Sequence, residues 1–288
     1  MQKKILLTGA TGFLGSHILK RLLNDGKDVV ILTRETSNFR KIKMLKGFTI
    51  FQVNQHLSNI EELFEIHSID TIIHVATEYG KKLPYSVVLY SNVYLPIRLI
   101  EAANKKKLKI FINTDSFFSK FQNYSYLKEY ITTKKIFKQY LKSLTGIQII
   151  NLQLEHVFGE NDSKDKFIPF LIESMKTNMN EIALTEGIHK RDFIYVDDVV
   201  DAYMVVLSKS KYLKQFSEFE VGTGVSIQIK DFVIRAHQIL NSKSNLLFGA
   251  LPTRYDEISD SKANNLDLIN LGFIPKTTIE VGINKIIN

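Results

Sequence analysis

The sequence predicts an α/β protein: a doubly wound parallel sheet, followed by a smaller α/β region that closes over the sheet's C-terminal edge. Two patterns predict it. Short β-rich apolar runs, each too short for a helix, alternate about six times with amphipathic segments of helical spacing. A glycine-rich turn, Thr8 to Gly15, joins the first run to the first helical segment.

Residues 3–8 form the first strand run and 13–24 the first helix. Residues 29–33 and 48–53 give the second and third strands. Two more runs, 70–76 and 108–114, flank a long amphipathic helix predicted over 87–104. A second long helix is predicted over 126–144 and a sixth strand over 147–154. Strands joined through helices imply right-handed crossovers and so a mainly parallel sheet. After Leu154 the rhythm breaks. Residues 159–165 read as a polar loop, 167–179 as a helix and 181–185 as a short strand. Residues 191–198 read as a strand running into a helix over 199–207, and the remainder mixes short elements. The boundary falls at 155/156, with 1–155 as the sheet domain and 156–288 as the second region. Residues 191–210 are expected to pack back on the first. No internal repeat or low-complexity tract interrupts the chain.

Composition narrows the function class. With 288 residues, 44% hydrophobic and 24% charged, the chain is that of an ordinary globular protein. It has no cysteine, which excludes disulfides, thiolate metal sites and cysteine nucleophiles. The 38 basic residues against 30 acidic ones give a net charge of +8. The densest cluster, Lys105, Lys106, Lys107 and Lys109, closes a predicted helix, where cations complement the dipole. No aromatic residues interleave with it, so a solvated lysine surface is expected and not a nucleic-acid site. No metal site is expected. No apolar run reaches about 18 residues, and a cytoplasmic protein without a membrane span is expected.

Thr8-Gly9-Ala10-Thr11-Gly12-Phe13-Leu14-Gly15 carries the first chemistry. Between a strand and a helix, such glycines let a pyrophosphate approach the backbone N–H groups of a helix N-terminus. This spacing resembles the extended short-chain dehydrogenase/reductase superfamily, also called NAD-dependent epimerases/dehydratases, with its Rossmann sheet and C-terminal substrate region. At the end of the second strand, where a carboxylate would bind the ribose of NAD, the sequence reads Thr33-Arg34. A guanidinium pairs with a 2′-phosphate, so the expected cofactor is NADPH. The expected cofactor-binding set is Gly9, Thr11, Gly12, Phe13, Leu14, Gly15, Arg34, Val75, Ala76 and Asn92, with Tyr130 and Lys134. Asn54 stands where relatives often carry an adenine-contacting Asp.

Two Tyr-x-x-x-Lys pairs occur, Tyr124/Lys128 and Tyr130/Lys134. The second opens the predicted helix, so both side chains lie on one face. Lys134 is expected to lower the Tyr130 phenol pKa and bind the nicotinamide ribose, with Tyr130 as proton donor. Thr114 stands in the superfamily's hydroxyl position and Ser116 is the alternative. The dehydratases' Thr-Asp-Glu reads Thr114-Asp115-Ser116 here, without the Glu. Ser116 and Lys166 stand where the fucose synthase-like epimerase-reductases need a Cys/His pair. Plain hydride transfer to a ketone remains.

The runs His74–Gly80, Asn113–Phe118, Leu154–Gly159 and Phe219–Gly224 resemble the sugar-nucleotide 4-ketoreductases of the CDP-abequose synthase type. The resemblance implies reduction of the C4 ketone of a nucleotide-linked 4-keto-6-deoxy or 4-keto-3,6-dideoxy sugar, of CDP-hexose or GDP-heptose type, for surface polysaccharides. It implies Arg191 and Arg254 as a grip on the substrate diphosphate. Glu78, Tyr79, Ser116, Phe117, Glu155, His156 and Phe167 are expected near the sugar. For His156, contact with the sugar and a packing role stand side by side. The two long helices are expected to pair with a twin chain in a homodimer. An NAD-dependent 4-epimerase is the related alternative; a non-catalytic sensor or nucleic-acid binder on the same fold is the distant one.

Overall fold

The strand-forming runs assemble into a seven-stranded sheet in a computed structural model that describes residues 3–81, 83–105, 108–121 and 124–288. Lys106 and Lys107 of the lysine cluster lie outside the described residues. The chain divides into two compact units: Met1–Gln153 with Tyr203–Phe219, and Leu154–Ala202 with Glu220–Asn288.

The first unit carries β1 (Lys4–Thr8), α1 (Phe13–Asn24), β2 (Val29–Arg34), β3 (Phe48–Val53), α2 (Ile60–Ile66) and β4 (Ile69–His74). There follow α3 (Tyr85–Leu89), α4 (Leu95–Asn104), β5 (Ile110–Ser116), α5 (Lys128–Ser143) and β6 (Gln148–Leu154). After β7 (His156–Phe158), α6 (Phe167–Lys176), β8 (Glu181–Leu184), β9 (Lys190–Arg191) and β10 (Phe193–Tyr195) come α7 (Val196–Lys209) and β11 (Phe216–Val221). The sheet order is β11-β6-β5-β4-β1-β2-β3. The pairings among β1 to β5 are parallel. The order reverses beside β1, and the crevice this opens at the strands' C-terminal ends is where ligands of such sheets bind.

Leu6, Val30, Ile72, Phe111 and Ile149 from the strands pack with Leu99, Ile100, Phe137 and Leu141 from the helices in one core. Each such side chain stabilises the fold by about 1.5–3 kcal/mol relative to exposure. The strand β11 lies in the stretch read only as mixed short elements, although its Phe219 and Val221 alternate with Glu218 and Glu220 as in a half-buried strand.

The helix expected over 87–104 is interrupted. Tyr90–Tyr94 forms a π turn between α3 and α4. Pro96 has no N–H to offer the carbonyl of Asn92, and a wider turn absorbs the loss. The strand expected to end at Thr114 continues to Ser116, because Asp115 bonds to Asn151 and Gln153 on β6. The helix expected from Tyr126 begins at Lys128, after Leu127 takes a left-handed φ of 56°. The helix expected from Val199 begins at Val196, which places Asp197 and Asp198 in its first turn, where acidic side chains favour the dipole.

The second unit adds β12 (Ile227–Gln228), α8 (Ile229–Ile239), β13 (Asn245–Phe248), β14 (Asp260–Ser261), α9 (Leu266–Asn270) and α10 (Ile279–Ile287). Its small sheets pair β7 with β10, β8 with β13, and β9 with β12 and β14. Asp192 holds three segments together. Its carboxylate accepts from the N–H groups of Thr223, Gly224 and Ala263. Among the described residues no helix is long and apolar enough to cross a membrane.

Candidate active site

The glycine turn is fixed from beneath by Thr8. Its buried hydroxyl accepts from the N–H groups of Val75 (3.1 Å) and Ala76 (3.2 Å) and meets Nδ1 of His74 at 2.9 Å. Burial, helped by the nearby Lys134, pushes His74 down to about 3, so its ring is neutral. Gly9 has φ +70°, and a Cβ there would sit 2.6 Å from the nitrogen of Ala76. A Cβ at Gly15 would sit 2.0 Å from the carbonyl oxygen of Gly9. Gly12 precedes α1 without a side-chain cap, so the first N–H groups of α1 are left for an anion. The turn therefore fits a dinucleotide pyrophosphate: a tight backbone turn that a side chain at Gly9 or Gly15 would break, beside open donors. Thr11 and Phe13 lie on the turn, and Leu14 is buried beneath it.

Arg34 is the exposed last residue of β2. Its guanidinium makes no hydrogen bond or ion pair among the described residues. Asn54 has a different occupation from the relatives' Asp. Its Oδ1 accepts from the N–H groups of His56 and Ser58, and its Nδ2 donates to Ser58, which closes a local turn.

Tyr130 and Lys134 share the buried face of α5, and the Lys134 ammonium lies 5.7 Å from the Tyr130 ring centroid. The ammonium donates to the carbonyl oxygen of Thr114 at 2.7 Å. Burial pulls Lys134 down to about 8, opposed by the charge of Asp115. The expected lowering of the Tyr130 phenol by Lys134 does not occur. Burial raises it well above its ordinary value, with Tyr79 adding to the rise, while a hydrogen bond with Ser116 pulls the other way.

The hydroxyl beside Tyr130 thus belongs to Ser116. Thr114, expected in that role, donates its one proton to the carbonyl of His74 (2.7 Å), so the 2.6 Å bond with Tyr203 must be donated by the phenol of Tyr203. Tyr203 and His74 were not foreseen in the sequence, since nothing in a helical Tyr or a strand-end His marks a partner 89 or 66 residues away.

Asn92, expected on the dinucleotide, is instead saturated by its neighbours. Oδ1 accepts from Glu78 N (2.7 Å) and Thr77 Oγ1 (3.2 Å). Nδ2 donates to Glu78 O (2.8 Å) and Thr133 Oγ1 (3.0 Å). These are the four bonds an amide can make, and they pin the loop after β4 to α5. Glu78 turns its carboxylate to the N–H of Gly80. Tyr79 stacks on Tyr130 with centroids 4.9 Å apart, and Phe118 meets the same ring edge-on. Phe117 is buried against Phe118. Among the described residues no group of three or more His, Asp or Glu side chains is set to hold a metal.

In the second unit Arg191 is 3% exposed. It donates to the carbonyls of Lys190 and Ile258 and pairs with Glu257. Arg254 pairs with the other oxygen of Glu257 at 3.0 Å. The two expected phosphate arginines thus converge on one carboxylate. Glu155 is buried and accepts from Ser261. His156 packs edge-on against Phe193, and burial, with Arg191 and Lys166, pushes it down to about 3. Phe167 opens α6 with 42% of its surface exposed.

The profile of the NAD dependent epimerase/dehydratase family matches residues 5–222. The chain belongs to that family. It is similar to CDP-abequose synthase of Salmonella muenchen, 38% identical over 295 residues that cover 100% of this chain and 98% of the relative. CDP-abequose synthase of Salmonella typhimurium strain LT2 is 36% identical over 300 residues, covering 100% and 98%. The fold of this epimerase/dehydratase chain matches UDP-glucose 4-epimerase of Thermotoga maritima solved with UDP-glucose. The TM-score is 0.86 at 20% identity, covering 99% of this chain and 97% of that one. MoeE5 in complex with UDP-glucose and NAD gives 0.83 at 22% identity, with coverage of 99% and 97%.

Proposed function

We propose that this family member reduces the C4 ketone of a nucleotide-linked 4-keto-6-deoxy or 4-keto-3,6-dideoxy sugar with NADPH. The observation that carries the reading is the buried group of Tyr130, Ser116 and Lys134 on facing ends of α5 and β5. A buried phenol that stays protonated through neutral pH suits a proton donor, as a reduction requires. Tyr130 delivers its proton to the oxygen at C4 as negative charge develops there, and Ser116 orients that transfer. Lys134 keeps positive charge beside the phenol as the proton leaves.

A reduced nicotinamide, when bound, supplies the hydride. The turn at Gly9, Gly12 and Gly15 would hold its pyrophosphate, Arg34 its 2′-phosphate and Lys134 its ribose. Arg191 and Arg254 would hold the substrate diphosphate in exchange for the carboxylate of Glu257. Asp115 bonds to Asn151 and Gln153, and Ser116 replaces the Glu of the dehydratases, which favours reduction over water elimination. The full-length similarity to CDP-abequose synthases supports a nucleotide-linked sugar as substrate. Exposed Tyr85, Val87, Leu89, Tyr94 and Ile136 on and beside α3 and α5 support a homodimer.

The test is NADPH oxidation with a panel of CDP-, GDP-, dTDP- and UDP-linked 4-keto sugars. One of them is turned over, and Tyr130→Phe lowers that turnover by roughly 10²–10⁴ with an unchanged melting temperature. Near-normal turnover by Tyr130→Phe removes Tyr130 from the mechanism. Tightly bound NAD in the purified protein, with interconversion of C4 epimers, makes it an epimerase instead.

A further inference from the structure

Asp115 stands between the two catalytic candidates of β5 in sequence but faces the other way, as strand alternation requires. Its side chain is fully buried. Oδ1 accepts from the N–H of Ser116 at 2.8 Å and from the hydroxyl of Ser119 at 2.7 Å. Oδ2 accepts from Asn151 Nδ2 at 3.1 Å and from Gln153 Nε2 at 3.4 Å. Lys138 comes within 3.9 Å of Oδ2, but its closer partner is Glu218 at 2.8 Å. A buried carboxylate is costly unless it is hydrogen-bonded and faces positive charge. An apolar residue would serve packing alone, so the placement of this charge calls for a role.

We propose that Asp115 is a positioning residue of the site: its carboxylate clamps the strand end that presents Ser116 to Tyr130. The clamp is direct. Asp115 fixes the peptide of Ser116, and through Ser119 it fixes the 3₁₀ turn Phe117–Lys120, whose Phe118 packs edge-on against Tyr130.

This inference rests on the reading of Tyr130 and Lys134 given above, and its tests separate the two. Ser119→Ala removes one donor to the carboxylate and loosens the clamp. It should lower kcat about tenfold, with NADPH affinity, read by nicotinamide fluorescence, and melting temperature little changed. Ser119→Thr keeps the hydroxyl and should restore kcat. A Ser119→Ala variant with wild-type kcat, or a loss that Ser119→Thr does not restore, overturns the proposal. A dead Tyr130→Phe beside a fully active Ser119→Ala sinks this proposal alone; an active Tyr130→Phe sinks the functional reading with it.

Discussion

Lys134 donates a 2.7 Å hydrogen bond to the carbonyl oxygen of Thr114. The hydroxyl of the same Thr114 donates to the carbonyl of His74, and the ring of His74 meets the hydroxyl of Thr8. A continuous buried line of polar contacts therefore runs from the glycine turn to the helix that carries Tyr130. Its members are positioned by one another, and each makes a different measurable contribution.

Ser116 and Thr114 should separate in their effects. Ser116→Ala should lower turnover by about 10² with little change in stability. Thr114→Val leaves the carbonyl of His74 and the phenol of Tyr203 without that partner in a buried setting. It should cost about 1–3 kcal/mol of stability, read from the urea midpoint. Equal turnover losses with equal melting temperatures would put both hydroxyls in one role.

His74 should make the protein sensitive to acid. Its folded pKa of about 3 lies below its ordinary 6.5, so the native state binds fewer protons than the unfolded chain between these values. Stability from this residue is fully present above about pH 6.5 and falls as pH drops toward about 3, by up to about 1.4 kcal/mol per pH unit. A His74→Asn variant should show a flatter decline in denaturant midpoint over that window. A parallel decline would assign the acid sensitivity elsewhere.

Gly15→Ala should break the turn. The added Cβ would lie 2.0 Å from the carbonyl oxygen of Gly9, a backbone atom that cannot swing aside. Dinucleotide affinity should fall by at least about tenfold, together with a loss of stability of about 1–3 kcal/mol from overpacking. Fluorescence titration and thermal melting read the two effects.

Arg34→Asp should reverse the choice of dinucleotide. A guanidinium on a phosphate is a charge-assisted contact of about 1.5–3 kcal/mol, and a carboxylate would repel the same phosphate. The ratio of NADPH to NADH affinity should fall on the order of 10²-fold. An unchanged ratio would mean that Arg34 touches neither cofactor.

The sheet was legible because its signals are local. Six apolar runs and one glycine turn fix strands, crossovers and the crevice, and Tyr130 and Lys134 follow from their spacing on a single helix face. What was not legible depends on distance in sequence. Thr114 and Ser116 lie on the same face of β5, and the carbonyl of His74, 40 residues earlier, takes the proton of Thr114 and leaves Ser116 for Tyr130. The fate of Asn92 depended likewise on the loop at Thr77 and Glu78 and on Thr133. The convergence of Arg191 and Arg254 was anticipated on a diphosphate, with a local carboxylate as the alternative partner of each; both pair with Glu257.

The π turn at Tyr90–Tyr94 has a consequence for how this segment tolerates change. A π turn holds one residue more than an α turn, so the winding of α3 and α4 is out of phase by about 100°. Deleting one residue here would restore regular winding and rotate one half of the segment against the other. The amide of Asn92 would then no longer face both Glu78 and Thr133. Substitutions along these turns change a single contact, whereas a one-residue deletion changes the phase of everything beyond it. The placement of the loop after β4 is therefore encoded as a count of residues as much as by any side chain.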